Sequence, residues 1–217
     1  MSRQLAWAAT LALALAPAAC ADDKSKDKDK DAAKPSEDGY VALFNGKNLD
    51  GWEAFDGSGK SDVSKSWKVE DGIIHGSGPV SHLFSPKGHY KNFKYRAEVK
   101  IADKANSGMY FRTAKGPGFP KGYEAQINST HGDPARTGTL YNFVKVEKML
   151  VPPDTWFTQE VEAVGNHITI KVNDEKVVDF TDPKNTYTEG FFAFQQHDPG
   201  SHVQIRKVEV QELPDAK

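Results

Sequence analysis

The sequence predicts an all-β protein whose one domain is a two-sheet antiparallel β-sandwich of the jelly-roll kind. Three observations predict it. Phe93-Lys94-Tyr95-Arg96-Ala97-Glu98-Val99-Lys100-Ile101 alternates strictly between apolar and charged, the period-two pattern of a half-buried antiparallel strand. His167 to Val172 repeats the pattern, pauses at Asn173-Asp174 and resumes as Lys176-Val177-Val178-Asp179. That is a hairpin, because Asn and Asp tolerate the positive φ that tight β-turns demand. Finally, 18 glycines and 12 prolines punctuate the chain, and no stretch beyond a turn or two has amphipathic helical spacing.

The N-terminus is expected to lie outside this domain. Arg3 supplies a positive charge, Leu5 to Leu15 is apolar or small apart from Thr10, and Ala16-Pro17-Ala18-Ala19 supplies small residues. This is the tripartite pattern of a cleaved export signal over residues 1–20, too short to span a bilayer. Cys20 follows directly and is the single cysteine of the chain, so no intramolecular disulfide forms. Its place after Ala18-Ala19 predicts lipidation, and hence an anchored protein facing the periplasm or cell surface. Pro17 stands where a lipoprotein signal usually has an aliphatic residue, so an ordinary cleavage site is the alternative. Asp22 to Asp31 reads DDKSKDKDKD, without an apolar residue. Residues 21–38 are therefore expected to be a disordered charged linker, since nothing there offsets the entropy of ordering.

The domain is expected over residues 39–213, with 214–217 as a tail. Lys and Arg total 28 against 30 Asp and Glu, a net charge of −2 that gives no electrostatic reason for a nucleic-acid partner. Phe157 to Val164 and Phe191 to Phe194 add further strands. Val203 and Ile205 alternate, then Val208 and Val210 alternate out of phase, which predicts a bulge around Arg206-Lys207. Trp52, Trp67, Trp156 and the twelve phenylalanines are expected to fill the core.

The middle of the chain carries the candidate site. In Ser107 to Thr113, Met109 and Phe111 point one way and Tyr110 and Arg112 the other. In Tyr123 to Asn128, the face opposite Tyr123, Ala125 and Ile127 carries Glu124, Gln126 and Asn128. Paired, these strands put Tyr, Arg, Glu, Gln and Asn on one sheet face, a set of fixed donors and acceptors suited to sugar hydroxyls. The plainer alternative is a solvent-facing surface, with Arg112 and Glu124 as a cross-strand ion pair.

Leu43-Phe44-Asn45-Gly46-Lys47-Asn48-Leu49-Asp50-Gly51-Trp52 resembles the opening motif of the 3-keto-disaccharide hydrolase domain family (DUF1080). Asn106-Ser107-Gly108-Met109-Tyr110-Phe111-Arg112 and Gly122-Tyr123-Glu124-Ala125-Gln126-Ile127 resemble its central signatures. Thr137-Gly138-Thr139-Leu140-Tyr141 and Phe194-Gln195-Gln196-His197-Asp198 resemble later ones, so the similarity runs from about Tyr40 to Leu213. The resemblance implies a concanavalin A-like sandwich with a sugar site on its concave sheet.

It also implies a chemistry. A ketone at C3 of a sugar acidifies the C2 hydrogen, a base removes it, and the enolate expels the glycosidic oxygen at C1 before water adds back. Carried over by motif position, Glu124 or His197 is the base and Arg112 stabilises the enolate. His197 or Tyr141 protonates the leaving oxygen, and Tyr110, Gln126, Gln196 and Asp198 hold hydroxyls. The same face equally suits a noncatalytic, lectin-like domain, and His197-Asp198-Pro199-Gly200 is also strong turn chemistry. Glu-x-Asp-x-x-Glu and Gly-x-Ser-x-Gly are missing, which leaves a double-displacement glucanase and an esterase nucleophile without support. His-Glu-x-x-His and phosphate-loop strings are missing too, and no cofactor or metal is expected, with scattered Asp and Asn leaving calcium as the open alternative. Asp and Asn spacing does not resemble a calcium loop either.

Overall fold

A computed structural model describes residue 36 and residues 38–215. The export signal, Cys20 and nearly all of the expected linker lie outside the described residues. Fourteen strands run through the described chain. They are β1 (Val41–Ala42), β2 (Glu53–Asp56), β3 (Gly59–Ser61), β4 (Trp67–Glu70) and β5 (Ile73–Gly76). Next come β6 (Ser81–Phe84), β7 (Phe93–Ile101), β8 (Ser107–Thr113) and β9 (Tyr123–Ile127). The last are β10 (Phe157–Val164), β11 (His167–Val172), β12 (Glu175–Thr181), β13 (Phe191–Gln196) and β14 (Val203–Glu212).

All strand pairs are antiparallel and form two sheets. One has eight strands in the order β12-β11-β10-β7-β14-β5-β4, with β1 added beside β14, and the other has six in the order β3-β2-β6-β13-β8-β9. The sandwich expected from the alternation is therefore the fold. In β7 the odd-numbered residues from Phe93 to Ile101 are buried and the even ones half-buried, as their charge dictates. The inner faces meet through Tyr95 and Phe192, stacked at 4.0 Å, and through Phe194, Met109 and Phe111. Burying one such side chain contributes about 1.5–3 kcal/mol, so this seam dominates stability.

The predicted turn chemistry is present. Asn173 and Asp174 close the β11–β12 hairpin at φ 50° and 66°, and the Asn173 Oδ1 accepts the Thr158 N–H at 3.0 Å. The bulge in β14 falls between Arg206 and Glu209, with Lys207 at φ 49°. One expectation needs correction. Trp156 is not core: it lies half-exposed under Arg206, 4.2 Å from its ring centroid, with Lys100 at 5.2 Å. At the edges of the expected domain, Asp38 pairs with Arg96 at 2.9 Å while the Arg96 guanidinium covers the Tyr40 ring, and Asp215 accepts from Asn92 at 2.9 Å.

The outer faces of the two sheets differ sharply. That of the eight-stranded sheet carries ion pairs such as Arg96–Glu209 (2.7 Å) and Arg206–Glu98 (2.6 Å), the bland chemistry of a solvated surface. That of the six-stranded sheet pairs Glu53 with Lys60 and Lys115 toward one edge and carries uncharged hydrogen-bonding groups around the buried Glu124 carboxyl toward the other.

Candidate functional site

The site is built on register. Across β6, β13, β8 and β9, Gln195 pairs with His82 and Gly108 with Gln126. One step along, Ala193 pairs with Tyr110 and Tyr110 with Glu124. Period two sends all of these to the face away from the core. Segments following β8 and β9 rise around them. Phe119, Pro120, Lys121, Asp133, Tyr141 and Phe143 wall a cleft of about 490 Å³ whose floor includes Tyr110, Glu124, Gln126, Gln195 and Asn106. His197, just past β13, completes the rim. That volume is in the usual range for a small-molecule pocket.

Glu124 is the centre of the floor. Its carboxyl lies over Gly108, where any Cβ would collide with it. With its amide nitrogen turned toward acceptors, Gln126 donates to Glu124 Oε1 at 3.2 Å and to the Ser107 carbonyl at 2.9 Å. The Tyr110 hydroxyl accepts from Gln195 Nε2 at 3.1 Å, and Tyr110 stands opposite Glu124 across the β8–β9 pair. Among the described residues no cation pairs with Glu124. Burial therefore pushes its carboxyl up to about 8; Tyr110 opposes that shift and the Asp133 charge reinforces it. Glu124 is a protonated acid at neutral pH.

His197 is the complementary group. Its Nδ1 donates to Asp198 Oδ2 at 2.9 Å. Burial works against the Asp198 charge, but hydrogen bonds from His197, Ser201 and the Gly200 amide outweigh it and hold the carboxyl below its ordinary range. An ionised Asp198 fixes the proton of a neutral His197 on Nδ1, which leaves Nε2 as a free lone pair on the cleft rim. Tyr141 donates to Asp133 Oδ2 at 3.0 Å, so its hydroxyl also has a set orientation.

His131, His197 and Asp198 bring ligand atoms within 4.8 Å of one another, the composition of a cation site. The hydrogen bonding argues otherwise. His131 Nδ1 accepts the Asp133 backbone N–H at 3.1 Å, so in the neutral ring the proton is on Nε2, the atom facing Asp198 at 4.0 Å. Metal-bound histidines show the reverse, donating from the nitrogen that does not bind. The group is a hydrogen-bonding cluster.

Of the residues singled out in the sequence, Glu124, His197, Tyr110, Gln126 and Tyr141 converge on this cleft. Arg112 does not. It sits at φ 49° in a β-bulge of β8, where the register against β13 shifts between Phe191 and Ala193. The bulge breaks the alternation that was extended through it and turns the side chain out of the cleft face. The guanidinium, 2% exposed, donates to the carbonyls of Lys91 (2.9 Å), Gly165 (2.7 Å) and Tyr187 (3.2 Å). It is a structural tie, neither an enolate stabiliser nor the ion-pair partner of Glu124. Gln196 is likewise structural: its Nε2 donates to Gly78, Asp198 and Ser201 carbonyls on the far side of β13. Asp198 orients His197 from behind rather than lining the cleft. Asn128 ties its own loop, donating to the Asp133 and Ala135 carbonyls.

Several cleft residues went unassigned in the sequence reading. Gln195 had a usable signal, because Phe194 is inward and period two then sends Gln195, not Gln196, outward. His82, beneath the cleft floor and held down to about 4 by its burial, lies 3.3 Å from the Gln195 Nε2. Asn106, Phe119 and Asp133 come from irregular segments with no periodicity to place them.

A polar cleft on one face of a lectin-like sandwich defines a carbohydrate-handling domain. The chain belongs to the family of the 3-keto-alpha-glucoside-1,2-lyase-like domain, whose model matches residues 39–211. Its structure is similar to that of a Parabacteroides distasonis ATCC 8503 protein, a glycosyl hydrolase by provisional description. That match has a TM-score of 0.71 and 27% identity over 84% of this chain and 100% of that one. The carbohydrate-binding module CBM66 of Bacillus subtilis shares the fold at TM-score 0.54 and 18% identity, over 74% of this chain and 95% of that one. The VIP36 exoplasmic/lumenal domain, determined with Ca2+ and Man3GlcNAc, does so at TM-score 0.55 and 10% identity, over 84% and 91%. No curated protein sequence matches the chain.

Proposed function

We propose that the cleft cleaves 3-keto-glycosides by elimination followed by addition of water. The observation that carries this is the pairing of a buried, uncompensated carboxyl with a histidine whose tautomer is fixed by an aspartate, both on one cleft. Burial keeps the Glu124 carboxyl protonated as an acid, and the Nδ1–H bond to Asp198 leaves His197 Nε2 as the lone pair of a base. His197 Nε2 takes the C2 proton, and the C–H electron pair forms the enolate as charge moves to the C3 oxygen. The Glu124 carboxylic acid is the donor available to that oxygen. Collapse of the enolate breaks the C1–O bond, and the leaving oxygen takes the proton held by His197. Water then adds across C1=C2, its proton returning to C2 and its hydroxyl to C1. Arg112 has no part in this scheme.

The CBM66 likeness favours a second reading, a binding domain that uses the same face without turnover. Incubation with a 3-keto-disaccharide and with its unoxidised parent separates the two. Release of a free 3-keto sugar, abolished in Glu124→Gln and His197→Ala, supports the enzyme. Asp198→Asn should lower kcat by about 10²–10⁴ while leaving Kd nearly unchanged, as expected when a histidine loses its tautomer-fixing carboxylate. Binding of the parent sugar without product identifies the lectin-like alternative. Export with lipidation at Cys20 belongs to the same proposal, and the intact mass of the mature protein tests it.

A further inference from the structure

Phe119 is an aromatic side chain that the fold itself does not use. It is 62% exposed, whereas the other phenylalanine on the cleft wall, Phe143, packs against Tyr123 and Phe180 with ring centroids 5.3 and 5.6 Å away. A phenylalanine stabilises a fold by being buried, so Phe119 contributes little of that kind. Apolar residues scattered singly over a surface need no explanation. This one stands on the wall of a cleft whose floor is made of hydrogen-bonding groups, and its ring centroid lies 6.2 Å from that of His197.

The chain around Phe119 holds the ring in that place. The connection from β8 to β9 is closed at its base, where the Lys121 carbonyl accepts from the Ala114 N–H at 3.3 Å and from Thr113 Oγ1 at 3.0 Å. Gly118, at φ 73°, donates its N–H to the Asp56 carbonyl at 3.0 Å, which ties the tip of the loop to the end of β2. Pro120 confines Phe119 to extended backbone, because the proline ring clashes with a helical residue before it. His82 meets the Phe119 ring at 5.7 Å and 70°, an edge contact that orients it. The ring has therefore lost much of its freedom before any ligand arrives, and a group ordered in advance binds at lower entropic cost.

We propose that Phe119 is a stacking platform for the C–H face of a pyranose ring whose hydroxyls meet the polar floor. The face of a benzene ring is negative. Sugar C–H groups sit on carbons that bear oxygen, so they form an apolar surface of the opposite polarity. The 6.2 Å separation from His197 assigns the platform to the sugar ring beside that residue. This rests on the saccharide reading of the cleft but not on turnover.

The test is titration of the intact protein with methyl glucoside, followed by NMR of the sugar protons. Methyl glucoside has no ketone, so the proposed chemistry does not consume it. Protons above an aromatic face are shifted upfield, and the sugar ring protons should move in that direction on binding. Phe119→Leu keeps an apolar side chain without a π face; it should bind at least about tenfold more weakly and lose the upfield shift. Phe119→Tyr should retain both, and Phe119→Trp should enlarge the shift, a result readable even if the leucine variant misfolds. Thermal melting should be the same in all three, because the ring is exposed, and this separates lost stacking from lost folding. Unchanged affinity in Phe119→Leu, upfield shifts that persist in it, or shifts indifferent to tryptophan overturn the platform while the saccharide reading stands. Absence of binding by methyl glucoside and by the 3-keto-disaccharide alike, at millimolar concentration, overturns both. Stacking without turnover upholds the platform and rejects the catalytic scheme.

Discussion

Gly108 lies directly beneath the Glu124 carboxyl: a Cβ at residue 108 would stand 2.9 Å from both Cγ and Cδ of Glu124, and closer still to Oε1. The glycine is required by a close approach across the β8–β9 pair, not by its own dihedral angles. Gly108→Ala should therefore leave the sandwich folded and push the carboxyl off its floor. A displacement of about 1 Å at a reacting group lowers turnover on the order of a hundredfold. Circular dichroism and a turnover assay check both halves, and a fully active Gly108→Ala protein contradicts the central place of Glu124.

Glu124 also predicts a pH signature. Its ordinary value is 4.5 and the folded protein raises it to about 8. Between those values the unfolded chain has ionised and the folded chain has not. The stability contributed by the protonated group is thus complete below about 4.5 and is lost as pH rises through about 8. Glu124→Gln lacks this dependence. Its stability relative to the parent should rise across that window, by about 4 kcal/mol in denaturant titrations at the two ends. Parallel curves would show an unperturbed carboxyl.

Arg112 should behave as a structural residue. Arg112→Met strands three buried carbonyls, a loss of about 3 kcal/mol or more in unfolding free energy. Saccharide Kd in the folded protein, measured well below the transition, should stay within about threefold of the parent. A large loss of affinity at unchanged stability would return Arg112 to the site.

The β11–β12 turn offers a control far from the chemistry. Asp174 has φ 66°, which suits glycine and penalises branched side chains. Asp174→Gly should be neutral or stabilising by a few tenths of a kcal/mol, and Asp174→Val should cost about 1–2 kcal/mol. Thermal denaturation of the two variants decides it.

The regular parts of this molecule were legible because one period governs them. The alternation in β7, the Asn173-Asp174 turn and the phase change in β14 each have a local cause written in adjacent residues. The site was legible only where it rides on that period, as Tyr110, Glu124 and Gln126 do. Arg112 was misplaced because a bulge with left-handed backbone interrupts the strand, and nothing in Phe111-Arg112-Thr113 announces it. Gln195, not Gln196, faces the cleft because Phe194 fixes the phase of β13. Trp156 looked like core because of its size, whereas its neighbours across the sheet supply cations for its face. Asn106, Phe119 and Asp133 reach the cleft through irregular segments whose paths depend on distant contacts, such as the Tyr141 N–H to the Glu124 carbonyl at 2.9 Å.

Strand β8 divides its labour residue by residue, with Met109 and Phe111 turned to the sandwich interior and Gly108 and Tyr110 to the cleft. Because cohesion and recognition sit on opposite sides of one ribbon, substitutions on the recognition side leave the hydrophobic seam untouched. Such a scaffold can exchange ligands, or trade turnover for simple adhesion, through a few replacements that leave its core packing in place.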